Sequence, residues 1–130
     1  MLTYKDLTID MIGKQIPRFR QVIKPTQESW AALQYELTPY DYFYSGFVLD
    51  ILALRKEGDY KQIQTYFDFV EWLLQHSIDD DITNLVQTGF LEYFWESPEL
   101  YNMALKCSGE KTKKIFDSIE AYLGGPYRGT

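Results

Sequence analysis

The chain has 130 residues, of which 45% are hydrophobic, 25% charged and 17% aromatic, with a formal net charge of −6. Those values suit one ordinary globular domain and exclude a disordered chain. A single Cys and a single His exclude an internal disulfide, a Cys/His zinc cluster and a relay of several histidines, and the acidic balance argues against a general nucleic-acid binder.

Capping residues and prolines divide the chain into helix-sized pieces. Thr3, with Asp6 three positions on, predicts a helix to about Gln15. Pro17 predicts a short second turn through Val22, and Thr26 predicts a cap for a segment carrying Trp30, Leu33 and Leu37. Thr38-Pro39-Tyr40-Asp41 is a stronger start, with a capping hydroxyl, Pro at the first helical position and an acid near the positive helix end. That helix should run to about Glu57, with Phe43, Phe47, Ile51 and Leu54 on its apolar stripe. Gly58 should end it and Asp59 cap the next, which runs to His76 with Ile63, Phe67, Val70 and Leu74 inward and Gln64, Asp68, Glu71 and Gln75 outward.

Asp79-Asp80-Asp81 supplies a cap and first-turn acids for a helix through about Glu96. Ser97-Pro98-Glu99 opens a short helix to Lys106. Ser108-Gly109-Glu110 opens the last, which Gly124 and Pro126 end, leaving an irregular tail from about residue 125. Strand and hairpin signals are weak throughout. The expected fold is all-α: a single domain over residues 1–130, with six or seven antiparallel helices stacked in sequence order, an α-hairpin solenoid being one such form. No 18-residue apolar window and no uninterrupted apolar run after a basic start occur, so a cytoplasmic location is expected.

Catalytic readings find little support. His76 ends a helix with no nucleophile motif nearby, and Cys107, beside Lys106, could have a lowered thiol pKa but reads more simply as a small packed residue. Asp68/Glu71 and Glu92/Glu96 each share a helix face, yet a di-metal bundle needs two Glu-x-x-His elements. The aspartate run lacks calcium-loop spacing, and no glycine-rich phosphate loop opens a helix. The expectation is a protein that is not an enzyme and uses no metal or cofactor.

Charge placement is more informative. From Gln62 to Leu105, 44 residues, there is no Lys or Arg, while eight acids occur. The remainder holds 11 acids and 13 bases, so the excess negative charge sits in the middle helices. Helix-start preference explains several of these acids but not the missing bases. The pattern points to an acidic face that meets a basic protein partner, anchored by aromatic side chains. Its candidate residues are Asp68, Glu71, Asp79, Asp80, Asp81, Glu96, Glu99 and Trp72. Glu92 is set aside because its helix reads as largely buried. On this view, reversing Asp68, Glu71, Asp80 and Glu96 to Lys should spare the fold. A reverse cluster of Lys14, Arg18, Arg20 and Lys24, with no acid from Met11 to Gln27, reads as a weak patch of opposite sign.

The order Pro39-Tyr40-Asp41-Tyr42-Phe43-Tyr44, Tyr66-Phe67-Asp68-Phe69-Val70-Glu71, Asn84 to Glu92, Ser108-Gly109-Glu110-Lys111-Thr112 and Ile119 to Gly124 resembles a family of small helical bacterial immunity proteins. These are partners in polymorphic-toxin and contact-dependent growth inhibition systems. The resemblance spans roughly residues 39–124 and rests on packing patterns. It implies binding and silencing of a cognate toxin, often a nuclease, inside the producing cell, and it transfers no contact positions. Occlusion of a basic substrate groove is the mechanism that the acidic face suggests. A helical adaptor docking another basic protein is the alternative, no nucleic-acid or membrane contact is expected, and self-association of so aromatic a chain is open.

Overall fold

Helix starts follow the capping residues in a computed structural model of the chain, which describes residues 1–126. Seven α-helices form: α1 (Ile9–Gln15), α2 (Pro17–Ala31), α3 (residues 39–57), α4 (Tyr60–Gln75), α5 (Asp80–Gly89), α6 (Pro98–Cys107) and α7 (Glu110–Leu123). The described residues contain no strand, only an isolated bridge between Leu2 and Ser77. The fold is all-α. Residues 127–130, most of the expected tail, lie outside the described residues.

Three boundaries and one helix interior differ from the sequence reading, each for a local reason. The helix expected from Thr3 is two pieces. Asp6 accepts the Thr3 amide at 2.8 Å and closes a 3-10 turn over Tyr4–Asp6. The Thr8 hydroxyl, accepting from Met11 at 3.1 Å, then caps α1. The turn at Pro17 continues through Pro25 to Ala31, so Thr26 lies inside α2 and caps nothing, because burial of Phe19 and Ile23 holds the helix together. The helix expected through Glu96 ends at Gly89, where Phe90 turns (φ −139°, ψ −70°) into a 3-10 segment, Leu91–Glu96. Phe90, Leu91, Phe94 and Trp95 are all buried, and a straight helix would leave one side of that ring of apolar groups in water. Finally, α3 widens over Tyr42–Val48 to i→i+5 hydrogen bonds. The bulge lies where Gly46 lets the buried Phe19 ring against the backbone, a space that any Cβ would occupy.

Other predicted caps and the stop at Gly58 hold. Asp59 accepts from Gln62 at 3.3 Å and caps α4, and Ser97 accepts from Leu100 at 3.2 Å and caps α6. Gly58, in the left-handed region at φ 75°, ends α3.

Sequence neighbours pack in order from α1 to α5, and the chain then closes on itself. Helix α4 also packs against α6 and α7, and α5 against α7, which makes α4 the central helix. Its Ile63, Tyr66, Phe67, Phe69, Val70 and Leu73 are buried. Among the described residues one charged group enters this core. Asp50, on the inward face of α3, takes Arg18 at 2.6 and 2.8 Å and the Tyr66 hydroxyl at 2.6 Å. Burial first, and then the bond to Asp50, push the Tyr66 phenol far above its ordinary 10.0. Arg18's own hydrogen bonds to Asp50 raise the guanidinium pKa in turn.

Candidate interaction surface

The acids of the middle helices divide into those the fold uses and those it leaves in water. Glu71 belongs to the first group. Its carboxylate crosses from α4 to the start of α7 and accepts the Thr112 amide at 2.9 Å, the Thr112 hydroxyl at 2.8 Å and the Lys111 amide at 3.1 Å. It satisfies backbone donors that the α7 terminus would otherwise leave unpaired, where no side chain of the Gly109 cap can do so. Gly109 leaves room for that carboxylate, since a Cβ there would fall on the end of the Glu71 side chain and push it aside. Burial raises the Glu71 pKa, but the hydrogen bonds from Thr112 and Lys111 outweigh it and hold the carboxyl below its ordinary 4.5.

A stability prediction follows. The folded protein binds fewer protons at Glu71 than the unfolded chain does, so this contribution is complete above about pH 4.5 and lost as pH falls through the lower folded value. Glu71→Gln should cost about 1 kcal/mol near neutrality, since the group stays half in solvent. The gap between variant and parent should close below pH 4.5, as read by urea unfolding across a pH series.

Asp79 is a fastener as well. It accepts the Tyr4 amide at 2.8 Å and the Asp81 amide at 2.9 Å, tying the first residues to the start of α5. The Ser77 hydroxyl donates to the Leu2 carbonyl alongside, at 2.8 Å. Asp68 is exposed but takes the Gln64 amide at 2.8 Å, and that amide also reaches the Cys107 carbonyl. Trp72 is half-buried between the Phe69 and His76 rings. Asp80, Asp81, Glu96 and Glu99 are exposed and make no side-chain ion pair among the described residues. The expectation that reversing Glu71 would spare the fold is therefore corrected, because a lysine there would face helix-terminal N–H groups.

The acids do not gather in one place. Helix α5 is about 15 Å long by its residue count, which separates Asp79–Asp81 at its start from Glu92 just beyond its end. It is around Glu92 that a continuous surface forms. The Tyr44 and Tyr93 rings, 39% and 42% exposed, lie 4.8 Å apart. Tyr40 packs against Gly89, and its ring centre lies 6.4 Å from that of Tyr4. The Tyr122 hydroxyl donates to the Glu92 carboxylate and accepts the Gln87 amide at 3.1 Å. That contact to Glu92 raises the Tyr122 phenol pKa. Thr88, Glu92 and Tyr93 line a cavity of about 300 Å³.

Tyr40, Tyr44, Tyr93 and Tyr122 thus share a face with the half-buried Glu92, to which α3, α5, the 3-10 segment after it and α7 contribute. Tyrosine supplies large contact area at small entropic cost, together with a polar tip, which suits protein recognition. The sequence reading passed over this face. Its available signal was tyrosine off the apolar stripe of α3, with Tyr44 one position from Phe43.

The other candidates resolve simply. Burial pushes the Cys107 thiol up, against the lowering that Lys106 beside it suggested. The imidazole of His76, at the α4 C-terminus, lies 2.9 Å from the Trp72 carbonyl. The basic cluster is largely consumed: Arg18 by Asp50, and Arg20 and Lys14 by Asp10 at 3.0 and 3.5 Å. Among the described residues no group of three His, Cys, Asp or Glu converges, and no helix is long and apolar enough to cross a membrane.

Residues 9–124 match a family described as a domain of unknown function (DUF7674). No curated protein and no solved structure matches the chain.

Proposed function

The chain belongs to the DUF7674 family, and from its surface we propose that it is a non-enzymatic immunity protein, which binds a cognate bacterial toxin and covers that toxin's basic substrate-binding surface. The observation that carries this reading is a tyrosine-rich face around Glu92, with Glu92 and Tyr93 themselves in a stretch of 44 residues that has no Lys or Arg. A nuclease must present a basic groove to hold phosphate. An acidic face steers toward such a groove, and its aromatic side chains anchor the contact once water is expelled. Asp80, Asp81, Glu96 and Glu99 act in encounter, while the tyrosines and Glu92 form the centre. The complex forms in the cytoplasm of the producing cell.

Co-expression with the product of the adjacent upstream reading frame, followed by affinity capture and a growth assay, tests the proposal. A tight complex and rescue of growth are expected. A complex without any toxicity to relieve would favour the adaptor reading, in which the same face docks another basic protein. No complex and no rescue would remove the immunity reading and bring the adaptor reading to the front.

The charge component has its own readout. Reversing Asp80, Glu96 and Glu99 together to Lys should keep the fold, lower the melting temperature by a few degrees because Asp80 and Glu99 sit in first helical turns, and slow association about tenfold at low salt. Stopped-flow rates that stay the same would remove these three acids from the encounter.

A further inference from the structure

We infer that the cavity lined by Thr88, Glu92 and Tyr93 is a socket for one arginine side chain of the protein partner; this rests on the reading of the surrounding face as a docking surface for a basic protein. A guanidinium is recognised best by a carboxylate that can take two parallel hydrogen bonds and by an aromatic face on which its plane can lie. Both surround this cavity of about 300 Å³. Glu92 supplies the carboxylate. Tyr93, paired with Tyr44 at 4.8 Å, supplies an exposed ring platform.

The interior of the protein already uses this chemistry. At Asp50 a tyrosine hydroxyl, that of Tyr66, fixes the carboxylate from one side, and Arg18 binds both oxygens in fork geometry at 2.6 and 2.8 Å. At Glu92 the first half of that arrangement recurs. The Tyr122 hydroxyl donates to one carboxylate oxygen, and the Gln87 amide donates to the same hydroxyl, which directs the tyrosine proton toward Glu92. Tyr122 and Gln87 are positioning residues in this scheme. The other carboxylate oxygen takes no hydrogen bond from the described residues, and no described Lys or Arg side chain stands within 4 Å of Glu92. The guanidinium that completes the arrangement then comes from the partner. Arginine is preferred to lysine because a compact ammonium can neither fork across a carboxylate nor stack flat on a ring.

The test uses blocked amino acids as probes, so it needs no toxin. N-acetyl-arginine amide and N-acetyl-lysine amide are titrated into the ¹⁵N-labelled protein, and amide shifts are followed by NMR. Arginine should move Thr88, Glu92 and Tyr93 first and bind about fivefold more tightly than lysine. Glu92→Gln and Tyr93→Leu, both on partly exposed side chains, should abolish that preference while circular dichroism stays unchanged. Equal shifts from both probes, or shifts centred on Asp80, Asp81, Glu96 and Glu99 instead, would overturn the socket and show general charge attraction only. Failure of the co-expression experiment would remove the toxin reading and leave this titration standing; failure of the titration would remove the socket and leave co-expression untouched.

Discussion

Replacing Asp50 with alanine is expected to lower the unfolding free energy by about 3 kcal/mol, because it strands two donors in the core. The Tyr66 hydroxyl is fully buried and bonds to Asp50, so without the carboxylate it has no acceptor. Arg18 suffers less. Its side chain is 40% exposed against 6% for Asp50, so water can take over part of its hydrogen bonding. That asymmetry orders the series. Arg18→Met should cost less than Asp50→Ala, and Asp50→Asn, which keeps one acceptor, should fall between the parent and the alanine variant. Asp10→Ala removes two ion pairs whose groups are largely in solvent, and it should produce no measurable change. Urea midpoints at constant slope would check the order. Equal losses for Asp50→Ala and Asp10→Ala would mean that the buried cluster contributes no more than a surface pair.

The largest single loss should come from Phe47→Ala, about 4 kcal/mol, with Phe47→Leu costing about 1 to 2. Phe47 has no exposure, and its ring meets those of Phe19, Phe43, Tyr66, Phe69 and Phe90 at centroid distances from 4.4 to 6.2 Å. These rings come from α2, α3, α4 and the turn after α5, so the cavity would open where four parts of the chain meet. Edge-to-face pairs add to the area term, which sets the alanine cost above that of an isolated aliphatic truncation. Thermal unfolding with an unchanged far-ultraviolet spectrum would show that helices survive while cooperativity weakens. An unchanged midpoint would place the core elsewhere.

Both predictions bear on the interaction surface. Helix α3 carries Phe47 and Asp50 inward and Tyr40 and Tyr44 outward, so the core that fixes its rotation also fixes how the tyrosines are presented. The widened turn over Tyr42–Val48 makes that coupling tight, since one added residue per turn shifts the angular position of every side chain after it. Nothing in the sequence alone marks this widening. Gly46 is a residue that many helices tolerate, and its purpose is visible only with the Phe19 ring against it.

What the sequence determined by itself was local. Asp59, Asp79 and Ser97 mark helix starts because a short side-chain oxygen bonds its own next turn, Thr38 marks one because the Asp41 carboxylate reaches back to its amide, and Gly58 marks a stop because it enters the left-handed region without strain. The stripes at Ile63, Phe67, Val70 and Leu74 and at Ile115 and Ile119 declared the buried faces, and the absence of bases from Gln62 to Leu105 declared the charge asymmetry. Only the tertiary structure decided which acids remain free. Glu71 meets the α7 terminus 41 positions away, Asp79 meets Tyr4 across 75, and Asp50 meets Arg18 across 32. A carboxylate reads the same in a sequence whether it caps a distant helix or faces water. The difference lies in which donors the fold brings against it, and that depends on how the apolar faces pack.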